Sequence, residues 1–123
     1  MSNNSDVKFD IGEKAEQLLF GVFDMTTDKS HYPYKFRRLA DRMQEYALNI
    51  HSDLLDANGI KSDSDIHKKE RYELQTKAIT TINKFLSLVK YSVSRNRISF
   101  DVGEEWTELA CSIKYMTLAW RKA

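Results

Sequence analysis

The residues best suited to chemistry are basic side chains between positions 61 and 97, where nine Lys and Arg accompany four Asp and Glu. Lys77, Lys84 and Arg95 fall within about 20° of one another on a helix that turns about 100° per residue. We call these three the basic ridge and expect it to face away from the apolar stripe of its helix. No acidic residue follows Glu73 in the segment. Such a row either binds phosphates of a nucleic acid or forms a solvated face.

The net charge of the whole chain does not reveal this basic segment. The chain has 19 Lys and Arg against 18 Asp and Glu, a net charge of +1, which argues against a strongly basic nucleic-acid binder. Residues 1–30, however, carry three basic and six acidic side chains, so the near-neutral total is a cancellation between segments. If copies assemble into a ring, each copy repeats the basic ridge and the positive field grows.

Sequence patterns of catalytic and metal sites are missing. The three histidines, His31, His51 and His67, are isolated, and there is no Glu-x-x-His pair of the kind that di-iron bundles use. There is also no glycine-rich phosphate loop, G-x-S-x-G elbow or H-E-x-x-H motif. The single cysteine, Cys111, lies among apolar helical positions and is predicted to be a small core residue rather than a nucleophile. We therefore expect no enzymatic activity, no cofactor and no metal.

Long helices are predicted to position these side chains. The chain has only four Gly and one Pro, and its apolar residues recur with helical spacing. The predicted helices cover residues 10–29, 33–58, 64–95 and 100–121. Pro33 is expected in a first helical turn, Asn58-Gly59 as a left-handed C-cap, and Ser or Asp residues as the later N-caps. The fold class is all-α: an antiparallel up-down-up-down four-helix bundle forming one domain over residues 1–123.

Aromatic residues mark two further places. Trp106 and Trp120 share one helical face and are predicted core anchors, with a subunit contact as the alternative for Trp120. Tyr32, Tyr34 and Phe36 surround a proline and are expected to close over one bundle end, with stacking of nucleic-acid bases as a second interpretation. Trp120 and Tyr34 are our candidate subunit-interface residues.

The chain shows no sign of a membrane segment. Its start is polar, without the apolar stretch of a signal peptide, and its longest apolar run, residues 18–23, is too short to span a bilayer. One cysteine also suits a reducing compartment. We expect a cytoplasmic protein with no membrane partner.

Short motifs in the second and fourth predicted helices resemble a known family. They are Tyr32-Pro33, Arg37-Arg38-Leu39-Ala40-Asp41-Arg42, Leu54-Leu55-Asp56-Ala57-Asn58, and Ile113, Met116 and Trp120 near the end. Over about residues 15–122 the chain is similar to the accessory variability determinant (Avd) proteins of diversity-generating retroelements. These belong to a wider group of four-helix bundles that includes ribosomal RNA intervening-sequence proteins.

The resemblance implies a homopentameric ring that binds the retroelement's reverse transcriptase and contacts template RNA or DNA during mutagenic copying. On this hypothesis the basic ridge carries the nucleic-acid contacts, and Arg97 and Lys69 are further candidates. The alternative function is a protein-interaction module that docks a partner protein without binding nucleic acid.

Overall fold

The computed structural model describes residues 9–123, which contain four α-helices and no β-strand. The helices are α1 (Asp10–Thr26), α2 (Arg37–Gly59), α3 (Asp65–Ser94) and α4 (Phe100–Lys122), with a short 3-10 helix, Tyr34–Phe36, before α2. The predicted all-helical fold with four helices is confirmed. The predicted single domain, 1–123, also includes residues 1–8, which lie outside the described residues.

The four helices form a bundle around one core. Each helix packs against the next along the chain, and α1 packs against α4. Within residues 9–123 the two diagonal pairs, α1 with α3 and α2 with α4, have no Cα atoms within 8 Å of each other. The core therefore lies on the bundle axis, where every helix contributes fully buried side chains, among them Leu18, Met43, Ile50, Ile82, Phe85 and Ile113.

The apolar pattern of α3 predicted its buried face only in part. The apolar repeat of this segment comprises Leu74, Ala78, Ile82, Phe85, Val89 and Val93. The middle four are buried as the repeat predicts, whereas the first and the last are half-buried. Polar side chains take the remaining buried positions: Gln75, Thr81 and Ser92. An apolar repeat cannot reveal such positions, because they depend on partners contributed by other segments.

Aromatic side chains join that core at two points. The hydroxyl of Tyr32 donates a 2.9 Å hydrogen bond to Oγ of Ser92, so both polar groups are satisfied although they are buried. Trp106 is 4% exposed and packs on Phe85 with 6.4 Å between ring centroids. The prediction that Trp106 is a core anchor is confirmed.

The first connection differs from the prediction at both of its ends. Helix α1 ends at Thr26 rather than at residue 29, because the Asp28 carboxylate accepts hydrogen bonds from the Ser30 backbone N–H and hydroxyl, a local turn that competes with the helix. Pro33 is extended, with φ −67° and ψ 171°, and lies before the 3-10 helix. Helix α2 consequently begins at Arg37, four residues after the predicted start.

The end of α2 also differs from the prediction. Gly59 is still helical, and no glycine in residues 9–123 has positive φ, so the predicted left-handed cap at Asn58-Gly59 is wrong. Instead, the Arg71 guanidinium of α3 donates to the carbonyl oxygens of Ala57 (3.2 Å) and Ile60 (2.6 Å) and to Oγ of Ser62 (2.7 Å). A side chain from the next helix thus adds a charged donor at the end of α2, where the Ala57 carbonyl also accepts the Ile60 backbone N–H.

The remaining helix ends follow common capping rules. Ser64 and Ser99, both among the predicted caps, accept hydrogen bonds from the backbone N–H groups of His67 and Val102. After α3, Asn96 adopts the left-handed conformation with φ 60°, which asparagine tolerates better than most residues. None of the helices in residues 9–123 combines the length and apolar character that crossing a membrane requires.

Candidate nucleic-acid interface

The basic ridge is exposed over much of α3. Lys77 and Lys84 are exposed on the helix, and Arg95 is exposed at its C-cap. At 1.5 Å per residue, Lys77 and Arg95 lie about 27 Å apart along the helix axis. Lys69 is also exposed, about 12 Å before Lys77 on the same scale. Four of the five predicted nucleic-acid contacts are therefore open to solvent.

The basic ridge runs along the border between α3 and α2. Its three residues point about 100° away from the middle of the buried stripe, rather than directly opposite it as expected. Consistent with this, Lys77 lies close enough to Asp53 of α2 for its positive charge to lower the pKa of that carboxyl. On its own helix the ridge has one acidic neighbour, Glu73, four residues before Lys77, and across this border it has a second, Asp53.

Asp53 is a buried carboxyl with an incomplete set of partners. Its side chain is 8% exposed, and Oδ2 has no hydrogen-bond partner within residues 9–123. Burial raises its pKa above the ordinary value of 3.8, the Asp56 charge raises it further, and Lys77 opposes both effects without cancelling them. Counting acids along α3 alone missed this residue, because the contact joins two helices.

We expect Asp53→Asn to stabilise the protein at neutral pH by about 1 kcal/mol, because it removes a buried carboxylate that lacks a full set of hydrogen bonds. Because the pKa of Asp53 is higher in the folded than in the unfolded protein, wild type loses stability as the pH rises from the unfolded-state pKa to the folded-state pKa. The advantage of the variant should therefore vanish below about pH 4. Urea denaturation at neutral and acidic pH measures both effects, with the exposed Asp24→Asn as control; a less stable Asp53→Asn at neutral pH contradicts the prediction.

Arg97 is held by the protein. It is half-buried, and Nη1 donates to the carbonyl oxygen of His31 (3.2 Å) while Nε donates to that of Arg95 (3.1 Å). Its guanidinium also lies 4.5 Å from the centroid of the Phe36 ring. These contacts tie the end of α3 to the segment before α2, so Arg97 joins two parts of the candidate interface.

The sequence pattern places Lys68, Lys90 and Arg97 beside the apolar stripe of α3, from where they could reach acids of the first or fourth helix. No such ion pair forms among residues 9–123, so this prediction is wrong. In the described part of the chain every ion pair joins residues three or four positions apart: Asp28–His31, Arg37–Asp41, Arg42–Glu45 and Asp63–His67. The spacing of Arg37, Arg38 and Arg42 from Asp41 and Glu45 also predicts surface pairs within α2. This is confirmed for Arg37 (4.0 Å) and Arg42 (3.3 Å), whereas Arg38 forms no ion pair within residues 9–123. All four side chains of these two pairs are more than half exposed, so the pairs bind the arginines only weakly.

Basic and aromatic side chains alternate where the start of α2 meets the end of α3. Four cation–ring pairs there have centroid distances of 5.0 to 5.8 Å, in addition to that of Arg97: Lys35–Phe36, Arg37–Tyr34, Arg42–Tyr46 and Arg95–Tyr91. We call these residues the cation–aromatic cluster. Rings beside cations suit nucleic acid, because bases stack on rings while cations hold phosphates.

The two candidate subunit-interface residues lie far apart. Trp120 is half-buried against the Phe9 ring, at a centroid distance of 5.5 Å, and the Arg71 guanidinium lies 5.3 Å from its ring. Tyr34 is 82% exposed and follows the other end of α1, about 25 Å along that helix from Phe9. The structure therefore does not bring Trp120 and Tyr34 into one surface.

The three histidines and the cysteine lie apart from one another and do not form a cluster. His67 pairs with Asp63, His31 lies 3.4 Å from the Asp28 carboxylate, and His51 is half-buried. Cys111 is a free, half-buried thiol. Among the described residues, no three His, Cys, Asp or Glu side chains converge as metal ligands would.

Comparison with known proteins gives no match among family models, curated proteins or solved structures. The candidate site is therefore defined by its charge and geometry. An exposed row of cations that continues into the cation–aromatic cluster can bind a polyanion whose bases are accessible.

Proposed function

We propose that this protein is a non-enzymatic accessory protein of a diversity-generating retroelement. In this role it binds the reverse transcriptase and the template RNA or DNA in the cytoplasm and supports mutagenic reverse transcription. The observation that carries the proposal is the exposed basic ridge, which lies on a helix without acidic residues after Glu73. The retroelement role and the reverse transcriptase partner are proposed from the sequence resemblance.

Nucleic-acid binding at this surface would be driven by release of counterions from phosphates. Along α3, Lys84 lies about 10 Å from Lys77 and about 16 Å from Arg95. Flexible side chains at these distances can each reach a phosphate, on one strand or on two. Arg97 contributes indirectly, since it ties Phe36 and His31 to the end of α3. Phosphate contacts of this kind fix position and carry little sequence preference.

An antiparallel up-down-up-down arrangement is part of this proposal. Contacts between chain-distant residues support it: Phe9 at the start of α1 meets Trp120 near the end of α4. Arg121, also near the end of α4, donates to Thr76 in the first half of α3. Assembly of such bundles into a homopentameric ring would repeat the basic ridge five times and strengthen a field that one subunit, with net charge +1, cannot supply.

The test is binding of a labelled RNA hairpin and a DNA duplex by the wild-type protein over a range of salt concentrations. Three phosphate contacts per subunit predict a slope of about −2 to −3 in a plot of log affinity against log salt concentration. Sedimentation velocity on the same samples should give a particle of pentamer mass. Affinity that does not depend on salt contradicts the nucleic-acid role, and a monomer at tens of micromolar contradicts the family assignment.

A protein-interaction module without nucleic-acid binding is the second candidate function. It is favoured by a groove of about 570 Å³ between the end of α3 and the start of α4, lined mainly by apolar groups. Phe100, at its border, is 68% exposed. This alternative predicts no nucleic-acid affinity at physiological salt together with a stable complex with a partner protein.

A further inference from the structure

A pocket of about 390 Å³ lies between the end of α1 and the start of α2, and the proposed function leaves it unexplained. Its wall includes two cations, Lys29 and Arg37, together with the ring of Tyr34 and the side chain of Gln44. The amide of Gln44 is held in place, because Nε2 donates a 2.8 Å hydrogen bond to Oγ1 of Thr26. The volume lies within the range of about 300–1,000 Å³ that is usual for small-ligand sites.

Tyr34 is the unusual member of its segment. Its neighbour Tyr32 is 4% exposed with its hydroxyl bonded to Ser92, and Phe36 is half-buried beneath Arg97. Tyr34 is 82% exposed, so its ring contributes little to the bundle core. The Arg37 guanidinium lies 5.7 Å from the ring centroid. An exposed ring beside a cation can stack on a flat aromatic group that also carries negative charge.

The pocket is lined by two cations and one carboxylate. The carboxylate is that of Asp41, which pairs with Arg37 at 4.0 Å and leaves Lys29 as the second cation of the wall. Helix α2 begins here without a side-chain cap and without an acidic residue in its first turn. The Arg37 N–H is bonded to the Tyr34 carbonyl oxygen, so it is the positive end of the α2 dipole that adds to the potential of the side chains.

We propose that this pocket binds one nucleobase of a single-stranded RNA or DNA, stacked on Tyr34, while Lys29 and Arg37 contact the adjoining phosphates. A nucleotide combines the two features that the pocket recognises, a flat ring and an anion. The inference rests on the proposed function, because it adds a base-binding position to the phosphate contacts of the basic ridge. It also assigns Tyr34 to ligand binding rather than to a subunit contact.

The test compares two labelled single strands of about 12 nucleotides, oligo(dT) and an abasic strand with the same number of phosphates. Loss of base stacking in Tyr34→Ala is expected to weaken oligo(dT) binding about tenfold and to leave abasic-strand binding unchanged. Tyr34→Trp should restore the affinity for oligo(dT). The matched control is Tyr115→Ala, which removes a tyrosine that is 64% exposed with the Lys114 ammonium 6.0 Å from its ring centroid.

The outcomes separate the pocket from the proposed function. Equal wild-type affinity for both strands overturns the proposal of base binding in the pocket, and so does an equal loss of oligo(dT) affinity in Tyr34→Ala and Tyr115→Ala. Either result leaves phosphate binding by the basic ridge intact. If wild type binds neither strand nor structured RNA at low salt, the proposed function and the proposal of base binding are both wrong. Sedimentation velocity gives a third readout, because dissociation of the assembly in Tyr34→Ala would make Tyr34 a subunit contact and overturn the pocket.

Discussion

Reversal of the basic ridge, with Lys77, Lys84 and Arg95 all changed to Glu, is expected to weaken binding of structured RNA by about a hundredfold or more at moderate salt. The variant loses three phosphate contacts and gains three repulsive charges. The slope of log affinity against log salt should become shallower by about 2 to 3. Fluorescence anisotropy with a labelled hairpin, measured between about 50 and 200 mM salt, determines both quantities.

A matched control separates this effect from a change in overall charge. Lys14, Lys61 and Lys122 can be changed to Glu together, which alters the net charge equally on elements away from the basic ridge. This control should retain most of the affinity, and circular dichroism should show that both triple variants are helical. If the ridge variant binds as the control does, the ridge is a solvated face and the proposed interface is wrong.

The three ridge positions are not expected to contribute equally. Lys77 faces Asp53, so part of its positive charge is already offset across the border with α2. Lys84 and Arg95 lack an ion-pair partner within residues 9–123, although the Arg95 guanidinium lies 5.0 Å from the Tyr91 ring centroid. The single change Lys84→Glu should therefore reduce RNA affinity more than Lys77→Glu does.

The sequence predicts the helices of this protein better than their ends. Helix formation depends on the spacing of apolar residues within each segment, so four helices could be predicted from periodicity alone. The ends depend on individual hydrogen bonds. At α1 the bond is local, between Asp28 and Ser30, whereas at α2 it comes from Arg71, twelve residues after the last helical residue. The sequence around a helix end does not reveal a hydrogen bond that comes from another helix, as the one from Arg71 does.

The same limit explains what was missed at the candidate interface. A helical wheel of α3 places Lys77, Lys84 and Arg95 on one side but does not say which helix lies next to that side. The buried Asp53 is therefore found only when α2 and α3 are docked. Tyr32, Tyr34 and Phe36 were expected to close over one bundle end together, because nothing in the local sequence distinguishes the exposed Tyr34 from the buried Tyr32 two residues earlier.

Arg71→Ala is expected to lower the free energy of unfolding by about 2 kcal/mol, the largest stability effect that we expect from a single surface-reaching side chain. The variant leaves the carbonyl oxygens of Ala57 and Ile60 without their charged donor. It also removes a cation 5.3 Å from the centroid of the Trp120 ring, so packing near the end of α4 is weakened too. The thermal midpoint should fall by about 8 °C, and circular dichroism at 222 nm follows both heat and urea unfolding.

Two further variants identify the cause of that loss. Lys68→Ala, which removes an exposed cation from the same helix, should leave stability within about 0.5 kcal/mol of wild type. Arg71→Lys keeps the charge but not the planar set of donors that reaches three acceptors, so we expect it to recover less than half of the loss. Full recovery by lysine would mean that charge alone matters and that the guanidinium does not cap α2. Because Arg71 lies before the basic ridge and its donors are bound to the end of α2 and the loop after it, Arg71→Ala should leave RNA affinity within about twofold of wild type where the variant is folded.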